Sequence, residues 1–221
     1  MANTVLITGA NRGVGLALSR HYHQAGWKVI GVCRGDSDEL AEVADRVIDG
    51  IDVTGEADVA RLAEELADQS LDLLINNAGM LHDESLGELD FYAIRAQMET
   101  NAYAPLRVTE ALLPCLGEGA KVANITSRMG SIADNDSGGR YGYRASKAAL
   151  NAFGKSLAVD LAPRGIAVAQ LHPGYVQTRM VNFGGLISPE EAAAGIAERI
   201  AALTLSTSGG FWHSNGESLP W

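Results

Sequence analysis

Cysteine is scarce in this chain. Two occur in 221 residues, Cys33 and Cys115. Their spacing fits neither a CxxC pair nor a metal-ligand set, so a disulfide scaffold and a cysteine zinc site are excluded and reduced thiols are expected. Long apolar runs are missing too: nothing approaches the roughly 18 to 20 consecutive residues of a membrane helix. The opening "MANTVLITGA" has no basic stretch ahead of an apolar one, which argues against a secretory signal. A soluble, cytoplasmic protein is the expectation. Positive charge is in deficit, with 17 basic against 27 acidic side chains and a net charge of −10. Nucleic-acid affinity comes from clustered Lys and Arg, so a nucleic-acid partner is disfavoured. The histidines at 21, 23, 82, 172 and 213 are scattered and suggest no metal centre. Asn124 and Asn135 match glycosylation sequons by chance, since nothing sends the chain along a secretory route.

What the chain has in abundance is hydrophobic content, 47%, enough to bury one large core, and residues 1–221 are read as one domain. Short Val/Ile/Leu runs ("TVLIT", "KVIGVC", "RVID", "LDLLIN", "AKVANIT" and "IAVAQLH") alternate with stretches of helical period. The runs are apolar without alternation, as expected of strands covered on both faces. The fold class that follows is α/β: a single doubly wound Rossmann domain whose parallel sheet has six strands plus a seventh candidate at 209–213, with helices on both faces. A long helix from about Leu89 to Leu116 is expected, and the "ADNDSGG" run at 133–139 reads as a loop.

The first strand runs into "TGANRGVG", residues 8–15, and helical period begins at once. Glycines at 9, 13 and 15 allow a tight turn and close approach of a pyrophosphate to the free amides at a helix N-terminus. Gly9, Asn11, Arg12, Gly13, Val14 and Gly15 are therefore candidate cofactor residues. The second strand ends in Cys33-Arg34-Gly35, with a carboxylate, Asp36, only beyond the glycine. Arg34 and Arg12 suit a ribose 2′-phosphate, which selects NADP(H) over NAD.

"YGYRASK" at 141–147 holds two tyrosines, and only Tyr143 has a lysine, Lys147, four places on, on the same helical face. Together with "TGANRGVG", with "NNAG" at 76–79 and with the serine of "NITS" at 124–127, this chain resembles the short-chain dehydrogenase/reductase family over nearly its whole length. The stretch from Met129 to Asn151 and the ending "GGFWHSNGESLPW" look like the sniffer-type carbonyl reductases and bacterial C-factor proteins.

The resemblance implies a set of roles. Asp52 and Val53 would meet the adenine, and Asn77, Ala78 and Gly79 the adenosine and ribose side. Pro173, Gly174, Val176 and Thr178 would close over the nicotinamide. Tyr143 would act as general acid/base, with Lys147 on the nicotinamide ribose and, together with the positive nicotinamide ring of the oxidised cofactor, favouring the phenolate. Asn101 would hold a water in a proton relay. Ser127 or Ser131 would polarise the substrate carbonyl, the spacing of 16 from Ser127 to Tyr143 leaving the choice open. The implied function is NADPH-dependent reduction of small aldehydes or ketones, or the reverse reaction on an alcohol. A dinucleotide-binding signalling protein of the C-factor kind is the alternative. An extended nucleotide-sugar epimerase is disfavoured, because TGxxGxxG is absent. Met80, Leu81, Met129, Tyr175, Met180 and Phe183 are candidates to line an apolar substrate pocket. Homodimers or homotetramers through the helices of Asn101 and Tyr143 are a family expectation.

Overall fold

The apolar runs become strands and the periodic stretches helices, strand following helix except between the fourth and fifth strands, where one helix leads on into another. In this computed structural model, which describes residues 2–35 and 37–221, the strands are β1 (Thr4–Thr8), β2 (Lys28–Val32), β3 (Arg46–Ile48), β4 (Leu71–Asn76), β5 (Leu116–Ile125), β6 (Ala167–His172) and β7 (Gly210–His213). The helices are α1 (Gly13–Gln24), α2 (Asp38–Ala41), α3 (Glu56–Glu65), α4 (Phe91–Met98), α5 (Ala104–Ala111), α6 (Tyr141–Leu161) and α7 (Pro189–Ala202). Asp36 lies outside the described residues. Among the described residues no helix is long and apolar enough to cross a membrane.

All neighbouring strands are parallel, in the order β3-β2-β1-β4-β5-β6-β7. The seven-stranded doubly wound Rossmann sheet read from the sequence is thus present, including its last strand. Successive residues of β1 face opposite layers. Val5 and Ile7 pack with Leu16 of α1 and Ile196 of α7, whereas Leu6 packs with Leu62 of α3 and Val108 of α5. Each fully buried leucine or isoleucine contributes about 2 to 3 kcal/mol, so both faces need apolar side chains and the strand sequence has no polar beat. The winding direction reverses between β1 and β4. The carboxyl ends of those two strands therefore flank a crevice where both sets of loops turn away.

The helix expected from 89 to 116 is interrupted. α4 passes through a π turn, Glu99–Tyr103, into α5. Pro105 has no amide hydrogen, so it cannot donate to the carbonyl of Asn101 four residues back, and the wider turn accommodates that loss. The helix also stops earlier than expected. A 3₁₀ turn at Leu113–Cys115 contains Pro114, and β5 already begins at Leu116.

Candidate active site

The glycine turn after β1 is shaped by close backbone approach. A Cβ on Gly15 would lie 2.1 Å from the carbonyl oxygen of Gly9 and 2.5 Å from Asn77 Nδ2. Only glycine fits there. Asn77 Nδ2 donates to the carbonyls of Thr8 (3.0 Å) and Gly9 (3.1 Å), while Thr8 Oγ1 accepts from the amides of Asn77 (3.0 Å) and Ala78 (3.1 Å). The "TG" and "NNAG" motifs, far apart in the chain, thereby brace one another. Helix α1 starts with Arg12 at its N-cap, no side-chain cap and no acid in its first turn. Its leading amides and partial positive charge are left for an anion.

That helix end opens into a cavity of about 1650 Å³, well above the roughly 300 to 1000 Å³ of a single small-ligand pocket. A dinucleotide and a substrate fit together. Every residue expected to touch the cofactor lines this cavity, from Gly9, Asn11, Arg12, Gly13, Val14 and Gly15 through Arg34, Asp52 and Val53. Asn77, Ala78, Gly79, Pro173, Gly174, Val176 and Thr178 complete the set. Arg34 is exposed and 3.9 Å from the Asp52 carboxylate. That carboxyl is held below the usual range first by the Thr54 amide, with Arg34 a smaller cause, so the guanidinium remains available to a further anion.

At the other end of the cavity, α6 begins at Tyr141, which is 41% exposed, whereas Tyr143 is 8% exposed and lines the cavity. Tyr141 is the helix-entry residue. Lys147 is buried, its Nζ donating to the Ile125 carbonyl at 2.9 Å and standing 5.9 Å from the centre of the Tyr143 ring. Burial pushes its pKa down to about 8. Burial also raises the Tyr143 pKa, and the groups opposing that rise are Ser127, by a hydrogen bond, and the charge of Arg140.

The two candidate serines are placed differently. Ser131 donates to the Trp221 carbonyl at 3.1 Å and accepts from the Asp134 amide at 3.1 Å, away from the cavity wall. Ser127 lines the cavity and accepts from the Met129 amide at 3.1 Å. Asn101 is fully buried and is not at the wall. Its Oδ1 accepts from the Met80 amide (2.8 Å), and its Nδ2 donates to the Met80 carbonyl (2.8 Å) and to Ser146 Oγ (3.0 Å). Both amide hydrogens are spent on joining the loop after β4 to α6. The main-chain carbonyl of Asn101 has lost its α-helical donor to Pro105.

All six residues expected at the substrate end, Met80, Leu81, Met129, Tyr175, Met180 and Phe183, line the cavity. Others escaped the sequence reading. Glu84 is buried, accepts from the Gly142 amide at 3.2 Å and makes a short contact with Gln97 Nε2. It supplies a cap that α6 lacks locally, since Arg140 at the N-cap has left-handed backbone (φ 50°) and no capping side chain. A loop glutamate gives no sequence signal of this. Arg140 and Arg144 also line the cavity, and their spacing of four, bracketing Tyr143, was readable.

The curated relatives agree with this geometry. The chain is 44% identical over 225 residues to 1-hydroxy-2-glutathionyl-2-methyl-3-butene dehydrogenase of Rhodococcus sp. (strain AD45), covering 99% of this chain and 100% of the relative. It is 43% identical over 154 residues to C-signal of Myxococcus xanthus, covering 68% and 93%. Among solved structures, the NADPH-bound carbonyl reductase from chicken fatty liver superposes with a TM-score of 0.89 at 29% identity, covering 100% of this chain and 99% of that one. The carbonyl reductase Sniffer of D. melanogaster does so at 0.90 and 30%, covering 100% of both. The family model for short chain dehydrogenase matches residues 3–184. The chain belongs to the short-chain dehydrogenase/reductase family.

Proposed function

We propose that this protein, read as one domain over residues 1–221, is an NADPH-dependent carbonyl reductase acting on small aldehydes or ketones, with the alcohol as product or as substrate of the reverse reaction. The observation that carries the reading is that Ser127, Tyr143 and Lys147 line the same cavity into which the N-terminus of α1 also opens. The glycine turn and α1 amides would hold the pyrophosphate, and Arg34 with Arg12 the 2′-phosphate. Bound NADPH would supply the hydride. Ser127 would donate to the carbonyl oxygen and Tyr143 would protonate it, relieving the charge that develops there. The Lys147 ammonium would bind the ribose hydroxyls, and that contact favours its charged form against the pull of burial. The NADPH-bound chicken reductase supports the choice of cofactor, and the Rhodococcus relative shows that a dehydrogenase this similar acts on an alcohol. NADPH consumption against a panel of aldehydes, ketones and quinones, with NADH in parallel, tests the reading. Turnover with NADPH that disappears in Tyr143→Phe is expected; tight NADPH binding with no turnover on any of them would overturn it.

The likeness to C-signal favours one second reading, a dinucleotide-binding signalling protein. It predicts a biological effect that survives Tyr143→Phe.

A further inference from the structure

The charge of the cavity runs against the charge of the chain. Among the described residues, seven of the 17 basic side chains line it and only four of the 27 acidic ones. Arg12 and Arg34 belong to the cofactor end. The remaining arginines surround the substrate end, and their situations differ.

Arg128 is neutralised by Asp134, in a short contact, and by Glu217 at 3.7 Å. Among the described residues Arg144 has no carboxylate partner. Its Nε donates to the Gly138 carbonyl (3.3 Å) and its Nη2 to Ser137 Oγ (2.7 Å), which fixes the guanidinium and leaves the Nη1 hydrogens unspent. Arg140 pairs through Nε with Asp83, whose side chain is 68% exposed, while its Nη1 lies 3.8 Å from Met129 Sδ at the cavity wall. A pair that exposed is worth little and yields readily to a competing anion. Arg140 at the N-cap and Arg144 in the first turn of α6 both line the cavity, and the charge of Arg140 reaches the phenol of Tyr143.

Gly138, Gly139 and Arg140 are all left-handed, with φ of 63°, 63° and 50°. Successive left-handed residues are uncommon, and for arginine the conformation carries strain that persists where surrounding structure holds it. Here the Arg140 amide donates to the Glu84 carbonyl at 2.9 Å. The turn delivers a guanidinium to the rim of the reaction centre.

We infer that Arg140 and Arg144 form a carboxylate-binding subsite, so that the preferred substrates are anionic carbonyl compounds or alcohols whose carboxylate lies about one helical turn from the reacting oxygen. The inference rests on the reductase reading of the cavity. Paired guanidinium groups bind carboxylates through charge-assisted, often bidentate hydrogen bonds. The methionines at 80, 129 and 180 supply an adaptable apolar surface between that anchor and Tyr143. Arg179 also lines the cavity and adds to the positive field.

The test pairs a charged probe with its neutral analogue. Calorimetry on the NADPH-loaded protein compares 4-(hydroxymethyl)benzoate with benzyl alcohol, and turnover with NADPH compares 4-carboxybenzaldehyde with benzaldehyde. The carboxylate is expected to bind at least about tenfold tighter, a margin that salt reduces, and the preference to collapse toward unity in Arg144→Gln and further in Arg140→Gln/Arg144→Gln. Equal binding of the charged and neutral probes to the native protein overturns the subsite, as does a preference that survives both substitutions. If the double variant does not fold, the native preference and its loss with added salt decide. A carboxylate preference without turnover leaves the subsite standing and removes the reductase reading; turnover without preference does the reverse.

Discussion

The carboxylate of Glu84 accepts a hydrogen bond from the amide of Gly142, 3.2 Å away and one residue ahead of Tyr143. A loop residue 58 positions earlier thus fixes the start of the helix that carries the candidate acid. Gly142 is required for the approach, since a Cβ there would stand 2.5 Å from Gln97 Nε2 and 2.8 Å from Glu84 Oε1.

Glu84→Ala removes the cap and leaves Gln97 without its carboxylate partner in a buried site. A loss of about 2 to 3 kcal/mol is expected from the cap and the stranded amide together. Glu84→Gln, which still offers an acceptor, should lose less. Urea unfolding of both variants checks this, and kcat should fall in the same order if the cap also aims Tyr143.

Tyr143→Phe keeps the ring and removes the proton donor. Turnover should fall by about a hundredfold to ten-thousandfold, with NADPH affinity nearly unchanged in a fluorescence titration. Ser127→Ala should reduce kcat less, because it removes one donor to the oxygen and not the proton itself. Full turnover in the phenylalanine variant would show that another group protonates the substrate.

Strands were legible because burial on both faces leaves an unbroken apolar run, and Tyr143 was distinguished from Tyr141 by the lysine one turn on. The glycine turn was legible because its spacing is a steric requirement, seen in the 2.1 Å that a Gly15 Cβ would leave. The π turn at Asn101 was not read, although Pro105 four residues later signals a missing donor. Glu84 had no signal at all, since a contact between a loop and a distant helix has no period. Spacing likewise reveals the ammonium of Lys147 beside Tyr143 but not how deeply both groups are buried.

Arg34 bears on cofactor choice. Arg34→Ala should weaken NADPH binding by about tenfold to a hundredfold, the worth of one charge-assisted contact of about 1.5 to 3 kcal/mol. NADH, which lacks the 2′-phosphate, should lose little. Parallel titrations of the two nucleotides check this, and an equal loss for both would remove the 2′-phosphate assignment.

His172 makes the fold sensitive to acid. Its Nδ1 is buried without a partner, and its ring lies 4.8 Å from that of His213, edge to face. Burial first, then the charges of His213, Arg128 and Lys147, push its pKa down to about 3. An unfolded histidine titrates near 6.5. Between those values the unfolded chain binds the proton and the folded chain does not, so stability rises with pH across that window and is lost as pH falls from about 6.5 toward 3. At pH 5 the difference amounts to about 2 kcal/mol relative to neutral pH, taking about 1.4 kcal/mol for each pH unit below 6.5. His172→Phe cannot take up that proton. Its stability, measured by urea unfolding at pH 7 and pH 5, should therefore fall by about 2 kcal/mol less than that of the native chain over the same interval. An identical pH dependence in the two proteins would place the acid sensitivity elsewhere.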